Sequence, residues 1–146
     1  MEVRKSVLVP FAAERMFDLI EGAEHYPAFL PWCSQAVILA RDESVVEAEI
    51  TVDYRGARFS FVTRNPKRRP EWMAIRMERG PFRSFEGEWH LTALAPSACK
   101  VVFELRYEFG GALASTIAGP VFDRIANTLV DAYVRRAEAT LRDIPA

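Results

Sequence analysis

The sequence predicts a single α+β domain in which a curved antiparallel sheet of about seven strands wraps around a long C-terminal helix. Two patterns carry this prediction. Apolar residues recur every four positions through the last third of the chain, from Ala112 to Arg142, which indicates an amphipathic helix. Most of the preceding chain alternates apolar and polar residues, as antiparallel strands with one buried face do. The buried face of such a sheet is broad enough to cover the helix.

The composition is that of a globular protein, and its 146 residues suit one domain, residues 1–146. The formal net charge of −1 argues against general binding to DNA or to anionic membranes, although a local basic patch is compatible with it. Lys5 to Phe11 is too short for the core of a signal peptide. Cys33 and Cys99 lie far apart, so we expect reduced thiols in a cytoplasmic protein.

The N-terminal part is predicted to form a strand, a short helix and a stiff loop. Val3 to Val9 alternates as a strand, and helical spacing of apolar residues follows over Ala12 to Ile20. Glu24 to Trp32, hereafter the aromatic loop, is rich in aromatic residues and contains two prolines. Because proline restricts the residue before it, we expect at most a single helical turn there.

Six further strands are predicted, and short connections between them favour antiparallel hairpins. Their ranges are Gln35–Arg41, Val45–Tyr54, Ala57–Asn65, Glu71–Arg79, Ser84–Leu91 and Cys99–Phe109. The connections are a tight turn at Arg55-Gly56, a loop over Pro66 to Pro70, a break at Gly80-Pro81 and a turn over Ala93 to Ala98. The first of the six leaves open which of its faces is buried.

The C-terminal helix is predicted to begin at Pro120, because proline lacks an N–H group and is tolerated in the first helical turn. Leu113 to Ala118 is interpreted as a short preceding turn or a kinked extension. The main helix has about 22 residues and ends near Asp143. Its apolar stripe contains Val121, Phe122, Ile125, Ala126, Leu129, Val130, Tyr133 and Ala137.

Five motifs occur in order along the chain. They are Tyr26-Pro-Ala-Phe-Leu-Pro-Trp-Cys33, Phe61-Val-Thr-Arg-Asn65, Gly80-Pro-Phe-Arg83 with Gly87 and Trp89, Tyr107-Glu-Phe109, and Gly119-Pro-Val-Phe122. In these motifs the chain resembles the coenzyme Q-binding and ribosome association toxin (RatA) family of START-like (polyketide cyclase/dehydrase, SRPBCC) domains. The resemblance implies a helix-grip fold with a lipid-like quinone between sheet and helix. For bacterial members it implies two roles, supporting respiratory quinone function and interfering with association of the ribosomal subunits.

We therefore expect an isoprenoid quinone, with ubiquinone as the expected ligand, in a cavity between the sheet and the C-terminal helix. The expected lining combines inward-facing strand positions, the helix stripe and the aromatic loop as lid or mouth. These residues are Tyr26, Phe29, Trp32, Phe59, Phe61, Met73, Met77, Phe82, Trp89, Phe103, Phe122, Ile125, Leu129 and Tyr133. Any one of them also fits an ordinary packed core, and the family resemblance favours the cavity.

No reaction is indicated by the residues that usually carry chemistry. His25, His90, Cys33 and Cys99 have no partner at a catalytic or metal-binding spacing, so we expect no enzyme, no obligatory cofactor and no metal site. His90 falls on the solvent-facing side of its strand.

Two alternatives stay open. The first is a ribosome-associating protein that docks on the large subunit, where Lys67, Arg68 and Arg69 would contact RNA or, at a membrane, lipid headgroups. The second is a cyclase-like enzyme of the same superfamily, which is weaker because no acid–base pair is visible. A transient contact of the aromatic loop with the inner membrane is compatible with a cytoplasmic protein.

Overall fold

A computed structural model describes residues 1–111 and 118–141 of the protein. Within these residues the chain forms one seven-stranded antiparallel sheet, two α-helices and one 3-10 helix, which confirms the predicted architecture. The strands are β1 (Glu2–Val9), β2 (Cys33–Arg41), β3 (Val45–Tyr54), β4 (Ala57–Arg68), β5 (Trp72–Arg79), β6 (Phe82–Ala95) and β7 (Ala98–Phe109). The α-helices are α1 (Ala13–Glu21) and α2 (Ala118–Thr140), and the 3-10 helix spans Ala23–Ala28.

Strand order along the sheet is β1-β7-β6-β5-β4-β3-β2. Strands that follow one another from β2 to β7 are therefore hairpin partners, and β1 completes the sheet beside β7. The tight turn at Arg55-Gly56 is confirmed, since both residues have positive φ, at 51° and 86°, as the favoured two-residue hairpin turn requires. None of the helices among the described residues is long and apolar enough to cross a membrane.

The predicted loop over Pro66 to Pro70 is wrong, because β4 continues to Arg68. Lys67 lies opposite Met73 and Arg68 opposite Trp72 on β5. Pro66 removes one backbone donor but fits an extended strand, and the next N–H, of Lys67, bonds the Ser44 carbonyl at 2.9 Å. Only Arg69, Pro70 and Glu71 connect the two strands.

Two other sequence-based boundaries also need correction. The turn predicted over Ala93 to Ala98 is only Pro96 and Ser97, because a register shift between Ala93 and Ala95 lets β6 continue. The single helical turn expected in the aromatic loop is a six-residue 3-10 helix that accommodates Pro27. With about three residues per turn, it makes two turns.

Helix α2 is already formed at Ala118, so the predicted start at Pro120 is wrong. Proline is compatible with the first helical turns, where the N–H groups need no partner within the helix. The helix ends at Thr140, before the predicted end near Asp143, which lies outside the described residues, as do residues 113–117. Its sheet-facing residues Phe122, Ile125 and Tyr133 are buried.

The open question about β2 is resolved by its position at the edge of the sheet. Val37 and Leu39 face solvent, with 37% and 45% of their surface exposed, whereas Ala36 and Ile38 pack against the core. The core is one contiguous cluster between the inner face of the sheet and the helices. Cys33 and Cys99 are buried in it as free thiols.

Candidate functional site

A cavity of about 100 Å³ lies between the inner face of the sheet and α2. Its wall is mostly aromatic and aliphatic, with Phe61, Trp89 and Phe103 from the sheet facing Phe122 and Tyr133 from the helix. Sites for drug-sized ligands enclose roughly 300–1,000 Å³. A ligand larger than a small ring therefore needs the side chains of the wall to move apart.

Ten of the fourteen residues expected from the sequence line this cavity, namely Tyr26, Trp32, Phe61, Met73, Trp89, Phe103, Phe122, Ile125, Leu129 and Tyr133. Sequence reasoning missed twelve other lining residues, which are Ile20, Glu21, Ala23, Val46, Ala48, Ile50, Thr63, Asn65, Ile75, Phe85, Leu105 and Ala126. Eight of the twelve lie on strands at positions with inward parity, so the alternation pattern could have found them.

Four expected residues, Phe29, Phe59, Met77 and Phe82, are not part of the cavity wall. Phe59 and Phe82 belong to an aromatic cluster described below. The sulfur of Met77 lies within 2.9 Å of the position that a Cβ on Gly80 would take, so this side chain is directed to the hairpin after β5. Phe29 packs on the side of Tyr133, with ring centres 5.8 Å apart.

The aromatic cluster closes the cavity where α2 begins. It consists of Phe59, Phe61, Phe82, Phe85, Tyr107, Phe109 and Phe122. The ring centres of Phe82 lie 4.9 Å from Phe85 and 5.0 Å from Phe122, in tilted and edge-to-face arrangements. Such geometries are favourable for aromatic rings, so this end of the interface is a packed core.

The aromatic loop covers the helix near Tyr133, about 16 Å along α2 from Phe122. The ring of Tyr26 lies 5.6 Å from Tyr133 and 5.9 Å from Phe29, and its hydroxyl donates to the Ile20 carbonyl. Burial raises the pKa of both tyrosines, so their hydroxyls stay protonated. The rings of Tyr26 and Phe29 therefore pack on the helix and face the domain.

The predicted basic cluster is largely neutralised within the domain. The Lys67 ammonium pairs with the Glu21 carboxylate, and its side chain is only 7% exposed. Arg69 donates two hydrogen bonds, of 2.8 and 2.9 Å, to the carboxylate of Asp18. Arg68 is the most exposed of the three, at 71%, and its guanidinium lies over the Trp72 ring with Nε 3.8 Å from Oε2 of Glu71. The sequence could not show this pairing, because α1 supplies both acidic partners.

The histidines and cysteines lie in unreactive surroundings. His90 is on the outer face of the sheet, with Nε2 3.4 Å from Glu88 Oε2, and His25 is exposed. Burial raises the pKa of both Cys33 and Cys99 to about 11, so the thiols are protonated at neutral pH. Within residues 1–111 and 118–141, no three His, Cys, Asp or Glu side chains are grouped so that they could hold a metal ion.

Comparisons with known proteins agree with this architecture. The family described as polyketide cyclase / dehydrase and lipid transport matches residues 9–134. A protein of Pseudomonas aeruginosa named ribosome association toxin RatA is 38% identical over 136 residues, covering 93% of this chain and 94% of that protein. A mitochondrial coenzyme Q-binding protein COQ10 homolog B of Xenopus laevis is 24% identical, covering 94% of this chain and 58% of that protein.

Solved structures share the fold. The crystal structure of the Zhui aromatase/cyclase from Streptomyces sp. R1128 superimposes with a TM-score of 0.80 at 19% identity. The match covers 98% of this chain and 96% of that one. At this identity the likeness shows the fold alone.

Proposed function

The chain belongs to the polyketide cyclase/dehydrase and lipid transport family, and from its nearly full-length likeness to ribosome association toxins within that family we propose that it acts on the ribosome. In this proposal the protein binds the large ribosomal subunit and blocks its association with the small one. The likeness extends over both chains almost completely, so it supports more than a shared fold. Fold alone would not indicate a function.

The surface charges shape how such binding would work. Lys67 and Arg69 pair closely with acidic residues of α1. Arg68 has only a long, exposed contact of 3.8 Å with Glu71, so it is the member of the basic cluster best placed to meet a phosphate. Each lysine or arginine that contacts a phosphate of a nucleic acid releases a counterion and makes binding salt-dependent. Because Lys67 and Arg69 are paired within the domain, we expect weak salt dependence and a contribution from uncharged contacts.

Sedimentation of ribosomes with the purified protein tests this function. We expect the protein to migrate with the large subunit and to shift joined ribosomes to free subunits. Arg68→Gln should weaken binding severalfold and reduce its salt dependence. Arg4→Gln is the matched control, because both side chains are 71% exposed and Arg4 lies on β1. A wild-type protein that stays at the top of the gradient and leaves the ribosome profile unchanged would contradict the proposal.

A separate observation, the apolar cavity under α2, supports a second function: binding of a hydrophobic ligand such as an isoprenoid quinone. The likeness to a coenzyme Q-binding protein favours ubiquinone as that ligand. A quinone ring with its first isoprene units would bury about 300 Å² of apolar surface, which contributes about 7 kcal/mol before ordering costs. Opening the cavity reduces this gain, which leaves micromolar binding as the expectation.

Mass spectrometry of lipids extracted from the purified protein would identify a retained ligand. Titration with a short-chain ubiquinone then tests the place of binding through two variants of α2. Leu129 lines the cavity, whereas Val134 is similarly half-buried and does not. Leu129→Arg should abolish binding, and Val134→Arg should retain it. A folded Leu129→Arg protein with wild-type affinity would show that the ligand binds elsewhere.

A further inference from the structure

The inner face of β4 changes in character along the strand. Successive inward positions are Phe59, Phe61, Thr63, Asn65 and Lys67, so aromatic residues give way to polar ones and then to a charge. Phe61, Thr63 and Asn65 all line the cavity. Because strand residues are spaced by about 3.3 Å, Asn65 lies roughly 13 Å along the strand from Phe61. The cavity therefore has an aromatic end and a polar end.

The polar end contains a buried acceptor that is not used within the domain. Asn65 is only 9% exposed, and its Oδ1 has no hydrogen-bond partner among the described residues. Its backbone lies opposite Val46 in the sheet, so the strand does not need the side chain. A buried polar atom without a partner is unfavourable, so its presence in a native protein calls for an explanation such as a bound ligand, ion or water.

Two other polar groups at this end are already engaged. The Glu21 carboxylate, which also lines the cavity, pairs with Lys67 and lies 3.6 Å from the Arg41 guanidinium. The Tyr26 hydroxyl donates to the Ile20 carbonyl. Oδ1 of Asn65, by contrast, is a buried acceptor for which the described residues supply no hydrogen-bond partner. It needs a donor, such as a hydroxyl group.

We infer that the cavity binds an amphipathic molecule whose hydroxyl group donates to Oδ1 of Asn65 and whose apolar part extends toward Phe61. This inference rests on the proposed ligand-binding function and names the chemistry of the ligand. It also distinguishes the two redox forms of a quinone ligand. A quinone carries only acceptor oxygens, whereas a quinol carries two hydroxyl donors, so the reduced form is the one that can donate to Oδ1 of Asn65.

Phenol and toluene provide a matched pair of probes, since they have nearly the same shape and differ by a hydroxyl in place of a methyl group. Their affinities for the wild type and for Asn65→Leu can be measured by NMR titration, following the lining residues Phe61, Trp89 and Ile125. We expect the ratio of phenol affinity to toluene affinity to fall roughly three- to tenfold in Asn65→Leu, the size of one hydrogen bond. Comparing this ratio between the two proteins cancels the difference in hydration free energy between phenol and toluene.

The control is Asn127→Leu, which makes the same substitution at an exposed position of α2 and should leave the ratio unchanged. If Asn65→Leu is unstable, Asn65→Val serves as the test variant, because valine is favourable in strands. If both probes bind and the ratio does not change, the inference is overturned, and a water molecule is the partner of Oδ1. If neither probe perturbs the lining residues of the wild type, the ligand-binding function itself fails.

Discussion

The Tyr107 hydroxyl donates a hydrogen bond of 2.5 Å to Oδ1 of Asp123 and thereby joins β7 to the beginning of α2. Tyr107 is 1% exposed, and its ring packs edge-to-face on Phe122 with centres 5.0 Å apart. The two contacts place the helix over the aromatic cluster. They fix the height of α2 above the sheet, and the cavity lies farther along the same helix.

Tyr107→Phe should reduce the free energy of unfolding by about 2 kcal/mol, because it removes a hydrogen bond to a carboxylate and keeps the ring. Urea denaturation measures the loss, and an unchanged m-value would show that the unfolding transition is otherwise the same. Tyr54→Phe, at a half-buried position on β3, is the control and should change stability by less than about 0.5 kcal/mol. If the wild type and Tyr107→Phe were equally stable, this hydrogen bond would not be what holds the helix in place.

Stability should decline at alkaline pH because buried acids hold their protons in the native state. Burial raises the pKa of Cys99 from its ordinary value of 9.0 to about 11, and it raises the pKa of Tyr107 as well, with the Asp123 hydrogen bond adding to the effect. A group whose pKa is higher in the native state than in the unfolded state stabilises the fold fully at a pH below its unfolded pKa. This stabilisation is lost as the pH rises toward the native pKa. The loss starts near the unfolded pKa of 9.0 for thiols and 10.0 for tyrosines.

Each buried thiol should reduce the free energy of unfolding by about 1.4 kcal/mol per pH unit in its window, which for Cys33 and Cys99 runs from 9.0 to about 11. Urea unfolding on both sides of pH 9 measures the slope. Cys99→Ala should give a shallower slope, at a constant cost in packing. A stability that is flat across this window would show that the thiols titrate normally in the folded protein.

Gly87 is required by the close approach of β6 and β7. A Cβ at this position would lie 2.5 Å from the carbonyl oxygen of Glu104, a backbone atom that cannot turn away. Gly87→Ala should therefore reduce stability by about 2–3 kcal/mol, as overpacking in a core does. Gly111→Ala is the control, since nothing lies within 4 Å of its Cβ position. Similar melting temperatures for the two variants would contradict the close approach.

The sequence predicts the sheet well because alternation and short turns are local signals. Three of the misplaced boundaries, at Pro66, Ala93 and Pro120, arise where a local breaker is overridden by the structure around it. Pro66 stays in β4 because the strand on either side pairs with β3 and β5. Local rules assign proline a cost in any strand because it lacks a backbone donor. They cannot show whether the pairing of the flanking residues with neighbouring strands outweighs that cost.

Prediction of the cavity was limited because the alternation pattern is local and does not show which distant residues a side chain meets. Inward parity correctly indicates Trp89 and Phe103, but it cannot separate a residue that faces a space from one that packs on another ring, as Phe82 does. Asn65 has the same inward parity as Phe61, so the alternation pattern could have identified it. The Lys67–Glu21 ion pair could not be predicted, because it joins residues 46 positions apart.

Phe61 and Phe82 offer the sharpest comparison between cavity wall and packed core. Both are buried, at 7% and 5% exposure, and both belong to the aromatic cluster, with ring centres 5.7 Å apart. Only Phe61 also lines the cavity. Because part of its ring faces a space, truncating Phe61 removes fewer contacts than truncating Phe82.

We expect Phe82→Ala to reduce the free energy of unfolding by about 3–5 kcal/mol and Phe61→Ala by about 1 kcal/mol less. Toluene and short-chain ubiquinone should bind Phe82→Ala as they bind the wild type, whereas Phe61→Ala should change both affinities, since it alters the wall they touch. Denaturant melts and ligand titrations on the two variants measure both effects. Equal stability losses together with unchanged affinities would show that Phe61 is ordinary core, and the binding site would then have to lie nearer to Tyr133, where the aromatic loop covers the helix.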